Sequence, residues 1–152
     1  MVVKRSVYEK LGGFYAVHYG EDWEMWTRIA AHYPVAYSPE CLAIYRYWSV
    51  NSITQHSIAS GKNIQEIKKV IDIIQSHIPL KKRRLLKRLA LKNYALYCLE
   101  LAKLLYPTDR ASAFVQAQGA IGLSTDREVL SSFLKYVSKD IFFAIRSALK
   151  IK

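Results

Sequence analysis

Two adjacent carboxylates, Glu21 and Asp22, follow Gly20 where an amphipathic helix begins. A carboxylate at a helix start is fixed in direction and suited to taking a proton from an incoming hydroxyl. Gly20, with no side chain, leaves room for a substrate to approach. The same placement also has a purely structural use, because acidic groups in a first turn offset the helix dipole by about 0.3–1 kcal/mol each. Elsewhere the chemistry is sparse. Cys41 and Cys98 lie far apart and fit no metal-ligand spacing, so they read as reduced thiols of a cytosolic protein. His56 stands alone in a polar stretch and reads as a solvated side chain.

The elements that must position the carboxylates are short. Residues 4–11 read as a helix stopped by Gly12 and Gly13. Residues 21–33 read as a second helix, with Trp26, Ile29, Ala30 and Tyr33 on one stripe. Glu24 and Arg28 fall one turn apart on its other side and are spaced to pair. Pro34 ends this helix. Residues 35–37 read as extended, residues 42–48 as a strand, and residues 49–57 as a loop.

The remainder reads as helical. One helix of about residues 61–77 follows Ser60, with Ile64, Ile67, Val70, Ile71 and Ile74 as its buried stripe. A long helix of about residues 80–105 lies between Pro79 and Pro107. Another covers about residues 108–121, with Gly122 as its stop. Thr125 and Glu128 fit a capping box opening the last helix, whose apolar face is Val129, Leu130, Phe133, Leu134 and Val137.

Charge divides along the chain. Of 152 residues with a net charge of +11, residues 1–56 carry five basic and five acidic groups, and residues 57–152 carry eighteen and seven. Such asymmetry suggests two regions, 1–56 and 57–152, the second drawn to anionic partners. The most apolar stretch, Tyr94 to Tyr106, is interrupted by Glu100 and Lys103, so no segment reaches the roughly 18 apolar residues of a membrane span.

Three motifs occur in order: Gly12-Gly13-Phe14; Glu21-Asp22-Trp23-Glu24-Met25-Trp26-Thr27-Arg28; and Tyr45-Arg46, preceded by Val35-Ala36-Tyr37. This series resembles the acceptor half of a family 2 glycosyltransferase of the GT-A fold, over about residues 3–53. The resemblance implies a C-terminal α/β remnant of that fold followed by a helical appendix, mostly helical overall. It implies sugar transfer with inversion from a nucleotide sugar to a hydroxyl of a sugar or lipid-linked acceptor. Carried over, Asp22 is the general base, and Glu21 shapes the acceptor pocket or binds an acceptor hydroxyl. Gly13 and Phe14 line the acceptor side, Trp23 either stacks on a sugar ring there or belongs to the core, and Arg28 holds a structural ion pair. Trp48 stands where many relatives have a histidine, and it joins the acceptor-binding set. A Gln-x-x-Arg-Trp signature is absent, which favours transfer of single sugars.

No Asp-x-Asp occurs in the chain. The resemblance therefore places the nucleotide-binding half, with its divalent Mg or Mn, before Met1. The chain itself is expected to hold no metal and no cofactor, and to be inactive alone.

Residues 81–92 hold seven basic groups, with Leu85, Leu86 and Leu89 sharing a face. Residues 141–152 are apolar and basic at a chain end. Both read either as bundle helices of a cytoplasmic protein or as contacts with an anionic membrane, and the second reading attaches that protein at the inner membrane face. Nucleic acid fits poorly, because many tyrosines lie in the neutral first third and no nucleic-acid module signature occurs. The alternative to a transferase fragment is a noncatalytic helical module that binds anionic membrane or a partner protein.

Overall fold

The structure, a computed structural model, describes residues 1–14, 17–44 and 52–148, with side chains as far as Ser138. It is mostly helical. In chain order the helices are α1 (Arg5–Leu11), α2 (Glu21–His32), α3 (Ile53–Ser60), α4 (Lys62–Ile74), α5 (Leu80–Leu105), α6 (Arg110–Leu123) and α7 (Arg127–Ala148). A 3-10 turn, Gln75–His77, follows α4. No strand occurs among the described residues. Residues 34–39 and 41–44 form no regular element, and residues 45–48 of the expected strand lie outside the described residues.

Two compact units divide the chain: Met1–Ile58 with Lys62–Lys87, and Ala59–Gly61 with Arg88–Lys152. They cut the sequence differently from the regions 1–56 and 57–152 read from charge. In the first unit, α2 packs on both α1 and α4. Val7, Met25 and Ile29 are the buried centre between α1 and α2, ringed by Val3, Tyr8, Leu11, Trp26 and Tyr33. Val17, Val70 and Ile74 form a second centre, covered by Trp23, Ile73 and Ile78. The buried stripe of α2 is therefore Met25 and Ile29, and Ala30 is exposed. Along α4 the expected stripe holds for Ile67, Val70, Ile71 and Ile74, while Ile64 is only half-buried.

The second unit is built on small side chains. Ala95 and Ala102 of α5, with Ala113, Ala117 and Ala120 of α6, are buried together with Cys98, Leu99 and Leu101. Gly61 adopts φ +73°, and a Cβ there would lie 2.7 Å from Val115 Cγ1.

Three element ends differ from expectation. Residues 49–57 do not form a loop throughout, because α3 begins at Ile53. Ser52 Oγ accepts from Gln55 N at 3.1 Å, the hydrogen bond of a helix N-cap. Gly122 does not stop α6, which runs on to Leu123. The last helix is capped by Asp126 rather than by Thr125: Asp126 Oδ1 accepts from Glu128 N at 3.1 Å, and Asp126 O accepts from Leu130 N.

Candidate functional site

The start of α2 is built from its turn outward. Gly20 precedes the helix in the left-handed region, φ +77° and ψ +18°, which side chains rarely enter. Its free space is not a substrate path. A Cβ there would lie 2.5 Å from Ile67 Cδ1 and 3.6 Å from Val70 Cγ2, so the glycine lets α4 pack against the turn. The turn is also tied electrostatically to α4. Glu66 Oε2 accepts from His18 N at 2.9 Å, while Lys69 Nζ reaches Glu66 Oε1 at 2.5 Å. The Lys69 ammonium, together with the His18 amide, pulls the Glu66 carboxyl below its ordinary pKa against the opposing effect of burial.

From this anchored turn Asp22 stands exposed, with Oδ1 accepting from Trp23 N at 2.8 Å. Glu21 is half-buried. Successive helical residues differ by about 100° around the axis, so the two adjacent carboxylates diverge. Asp22 instead shares a face with Trp26, one turn on. Trp26 meets Phe14 edge-on, with ring centroids 5.9 Å apart, and Phe14 approaches Tyr8 at 6.5 Å. The exposed carboxylate thus lies one helical turn from an aromatic pair in which Phe14 is 52 % exposed. Trp26, which the sequence places in the apolar stripe and in the Glu21–Arg28 motif but not among the acceptor-side residues, belongs to this surface. Its signal was the i, i+4 spacing from Asp22.

Arg28 joins the pieces. Its guanidinium donates to Glu24 Oε1 and Oε2 at 3.0 Å each, to the carbonyl of Leu11, and to the carbonyl of Gly13 at 2.9 Å. The pair is buried rather than solvent-facing, with Glu24 fully enclosed. The bidentate geometry and the two loop carbonyls satisfy charges that burial would otherwise penalise heavily. Gly12, at φ +80°, makes the bend that brings those carbonyls round. A Cβ on Gly13 would meet nothing within 4 Å, and its carbonyl is what the site uses.

Among the expected acceptor-side residues, Gly13 and Phe14 are therefore brought to α2 through Arg28 and Trp26. Trp23 is half-buried against Val17, Val70 and Ile74, which makes it a wall of the core. Trp48 and the Tyr45-Arg46 motif lie outside the described residues. His56 is exposed on α3, not in a loop. Both cysteines are free, Cys41 exposed and Cys98 buried, and burial pushes the Cys98 thiol up to about 12. No group of three or more metal-binding side chains occurs among the described residues.

On α5, Lys87 pairs with Asp72 at 2.6 Å. Lys92 pairs with Glu128 at 2.6 Å and lies 3.5 Å from Asp126. Arg83 donates to the carbonyls of Ile78 and Ser76. Lys81, Lys82, Arg84 and Arg88 are exposed, beside Leu80, Leu85, Leu86 and Leu89 at 77, 51, 39 and 38 % exposure. Side chains of the second basic stretch, residues 141–152, lie outside the described residues. No helix among the described residues is long and apolar enough to cross a membrane.

Comparison of the chain with protein-family models, curated proteins and solved structures finds no match.

Proposed function

We propose that this chain carries the acceptor-side face of an inverting glycosyltransferase of the GT-A type, with Asp22 as its general base. The observation that carries the reading is the union of the motif residues. Arg28 binds the carbonyl of Gly13, Phe14 rests on Trp26, and Asp22 is presented exposed one turn away. In the proposed step, Asp22 removes the acceptor hydroxyl proton as that oxygen attacks the anomeric carbon from the face opposite the nucleotide. The bond from that carbon to the diphosphate oxygen breaks, and its electron pair leaves on the phosphate. The Phe14–Trp26 pair offers a face for a sugar ring, the packing that apolar sugar faces favour. The divalent Mg or Mn expected of the whole enzyme would neutralise the leaving diphosphate from a nucleotide-binding part that supplies its ligands.

The exposed apolar segment supports the α/β side of this reading. Val35, Tyr37, Leu42 and Ile44 are 59, 89, 75 and 101 % exposed, as expected of a stretch that lies along a sheet in the assembled enzyme. Free cysteines fit a reducing, cytoplasmic setting.

The test is Asp22→Asn in the enzyme complemented with its nucleotide-binding part. General-base catalysis is worth about 100- to 10,000-fold, so kcat should fall at least about 100-fold with circular dichroism unchanged. Transfer within a few-fold of wild type overturns the assignment.

The exposed leucines and cations of α5 favour a second reading, a noncatalytic helical module held on an anionic membrane. It predicts no effect of Asp22→Asn on any activity, and vesicle binding that depends on α5.

A further inference from the structure

Helices α6 and α7 pack against each other. Their side chains, with buried Ala117 among them, border a cavity of about 530 Å³, within the roughly 300–1,000 Å³ usual for small-molecule sites. Phe114, Ile121, Phe133 and Val137 give it an apolar wall. Phe114 is 65 % exposed there, a large apolar ring left in water.

The cavity has a polar end. Arg110, in the first turn of α6, is the only formal charge that the described residues bring to its lining, and none of the described acidic residues borders it. The Arg110 guanidinium lies 5.0 Å from the Tyr106 ring centroid, and Tyr106 meets Tyr136 edge-on at 6.1 Å. Its acidic neighbour is engaged elsewhere: Asp109 caps α6, accepting from Ser112 N at 3.0 Å and from Ser112 Oγ at 2.5 Å. Among the described residues Arg110 forms no ion pair. Ile121 lies eleven residues further along α6, about 16 Å away at 1.5 Å per residue. Cationic charge at one end and apolar wall along the length is the complement of one ligand class.

We infer that the α6–α7 groove binds a single-chain amphiphile with an anionic head group, the head at Arg110 and the chain along Phe114 and Ile121. This site stands apart from the sugar-transfer reading and does not depend on it.

The test titrates the whole 152-residue chain by calorimetry with four probes, each below its micelle concentration or, for dodecanol, its solubility limit: dodecyl phosphate, dodecanoate, dodecanol and dodecyltrimethylammonium. The two anions should bind one to one and saturate. Dodecanol should bind at least tenfold more weakly and the cation more weakly still. Whichever anion binds tighter upholds the site and tells a phosphate head from a carboxylate. Arg110→Gln should reduce anion affinity to that of dodecanol without changing dodecanol binding. Phe114→Ser should weaken all the probes that bind. Both residues are exposed, so neither change threatens folding. Equal affinity for dodecanol, or an Arg110→Gln variant that binds as wild type, overturns the inference. So does loss of binding in Lys81→Glu/Lys82→Glu, which would move the site to α5. So does a sedimentation result in which Phe114→Ser converts a dimer to a monomer, which would make the groove's occupant a second copy of the chain.

Discussion

At the scale of single residues, the first unit depends most on Arg28. Its pairing with Glu24 is readable in the sequence as an i, i+4 spacing, but its burial is not. The reason is that its partners include the carbonyls of Leu11 and Gly13, and backbone acceptors leave no mark on residue type. Removing one member of a buried pair leaves the other charged and unsolvated, at a cost of about 3–5 kcal/mol. Arg28→Ala should therefore lower the urea unfolding free energy by that amount, whereas Arg5→Ala, which removes an exposed pair with Glu9, should change it by under about 1 kcal/mol. A loss at Arg28 no larger than at Arg5 would refute the structural role. Gly20 carries a related expectation. Gly20→Ala must enter a left-handed backbone and displace Ile67, so it should destabilise, while Gly13→Ala meets open space and should be near neutral. Equal thermal midpoints for the two variants would contradict the packing seen at Gly20. Nothing local in the sequence reveals that α4 comes to rest at Gly20, so its missing side chain is equally legible as room for a substrate.

At the scale of elements, legibility followed how local the deciding signal is. The long helix between Pro79 and Pro107 matches α5 because prolines and residue propensities act within a few positions. Helix α3 went unread although Ser52 and Gln55 have the Ser-x-x-Gln spacing of a capping box, since its weakly amphipathic polar sequence resembles a loop. At the last helix the Thr125–Glu128 pattern lies beside Asp126, which takes the cap and also approaches Lys92. Propensity ranks both residues as good caps, so residue type alone does not choose between them. The joint between α2 and the Gln75–His77 turn has its own pH dependence. His77 faces His32 at 5.9 Å between ring centroids, and Glu24 and Arg28 also act on it. Burial, the largest influence, lowers its pKa; His32 and Arg28 push the same way, and Glu24 opposes them. A base that is harder to protonate when folded favours the folded state only while it stays neutral. Stability should thus fall as pH drops below about 6.5, the unfolded value, and level off below the depressed folded one. His77→Gln should lose less of its thermal midpoint than wild type between pH 7.5 and 5.0. Above about pH 5 the Glu66 carboxylate stays ionised in both states and adds little to the difference. Equal losses in the two proteins would remove His77 as the cause.

At the scale of the whole molecule, the contrast in charge between sequence halves does not survive folding. The first unit holds thirteen basic and seven acidic residues, a net of +6, and the second holds ten and five, a net of +5. Each unit is cationic, so net charge alone would give weak attraction to any polyanion, screened over about 10 Å in 0.1 M salt. What distinguishes α5 is the combination of exposed cations with exposed leucines, since apolar insertion is insensitive to salt and charge attraction is not. Co-sedimentation with vesicles of mixed anionic and zwitterionic lipid separates the two contributions. If α5 docks on the bilayer, Leu85→Ser/Leu89→Ser should reduce binding at all salt concentrations, and Lys81→Gln/Lys82→Gln/Arg84→Gln should reduce it mainly at low salt. With about 1 kcal/mol per basic residue near an anionic surface, the triple change should weaken low-salt binding by roughly 100-fold. Diffuse attraction by a net charge of +11 predicts something else: any three exposed lysines would serve, and serine at 85 and 89 would change nothing. That second pattern would leave α5 as an ordinary solvated helix.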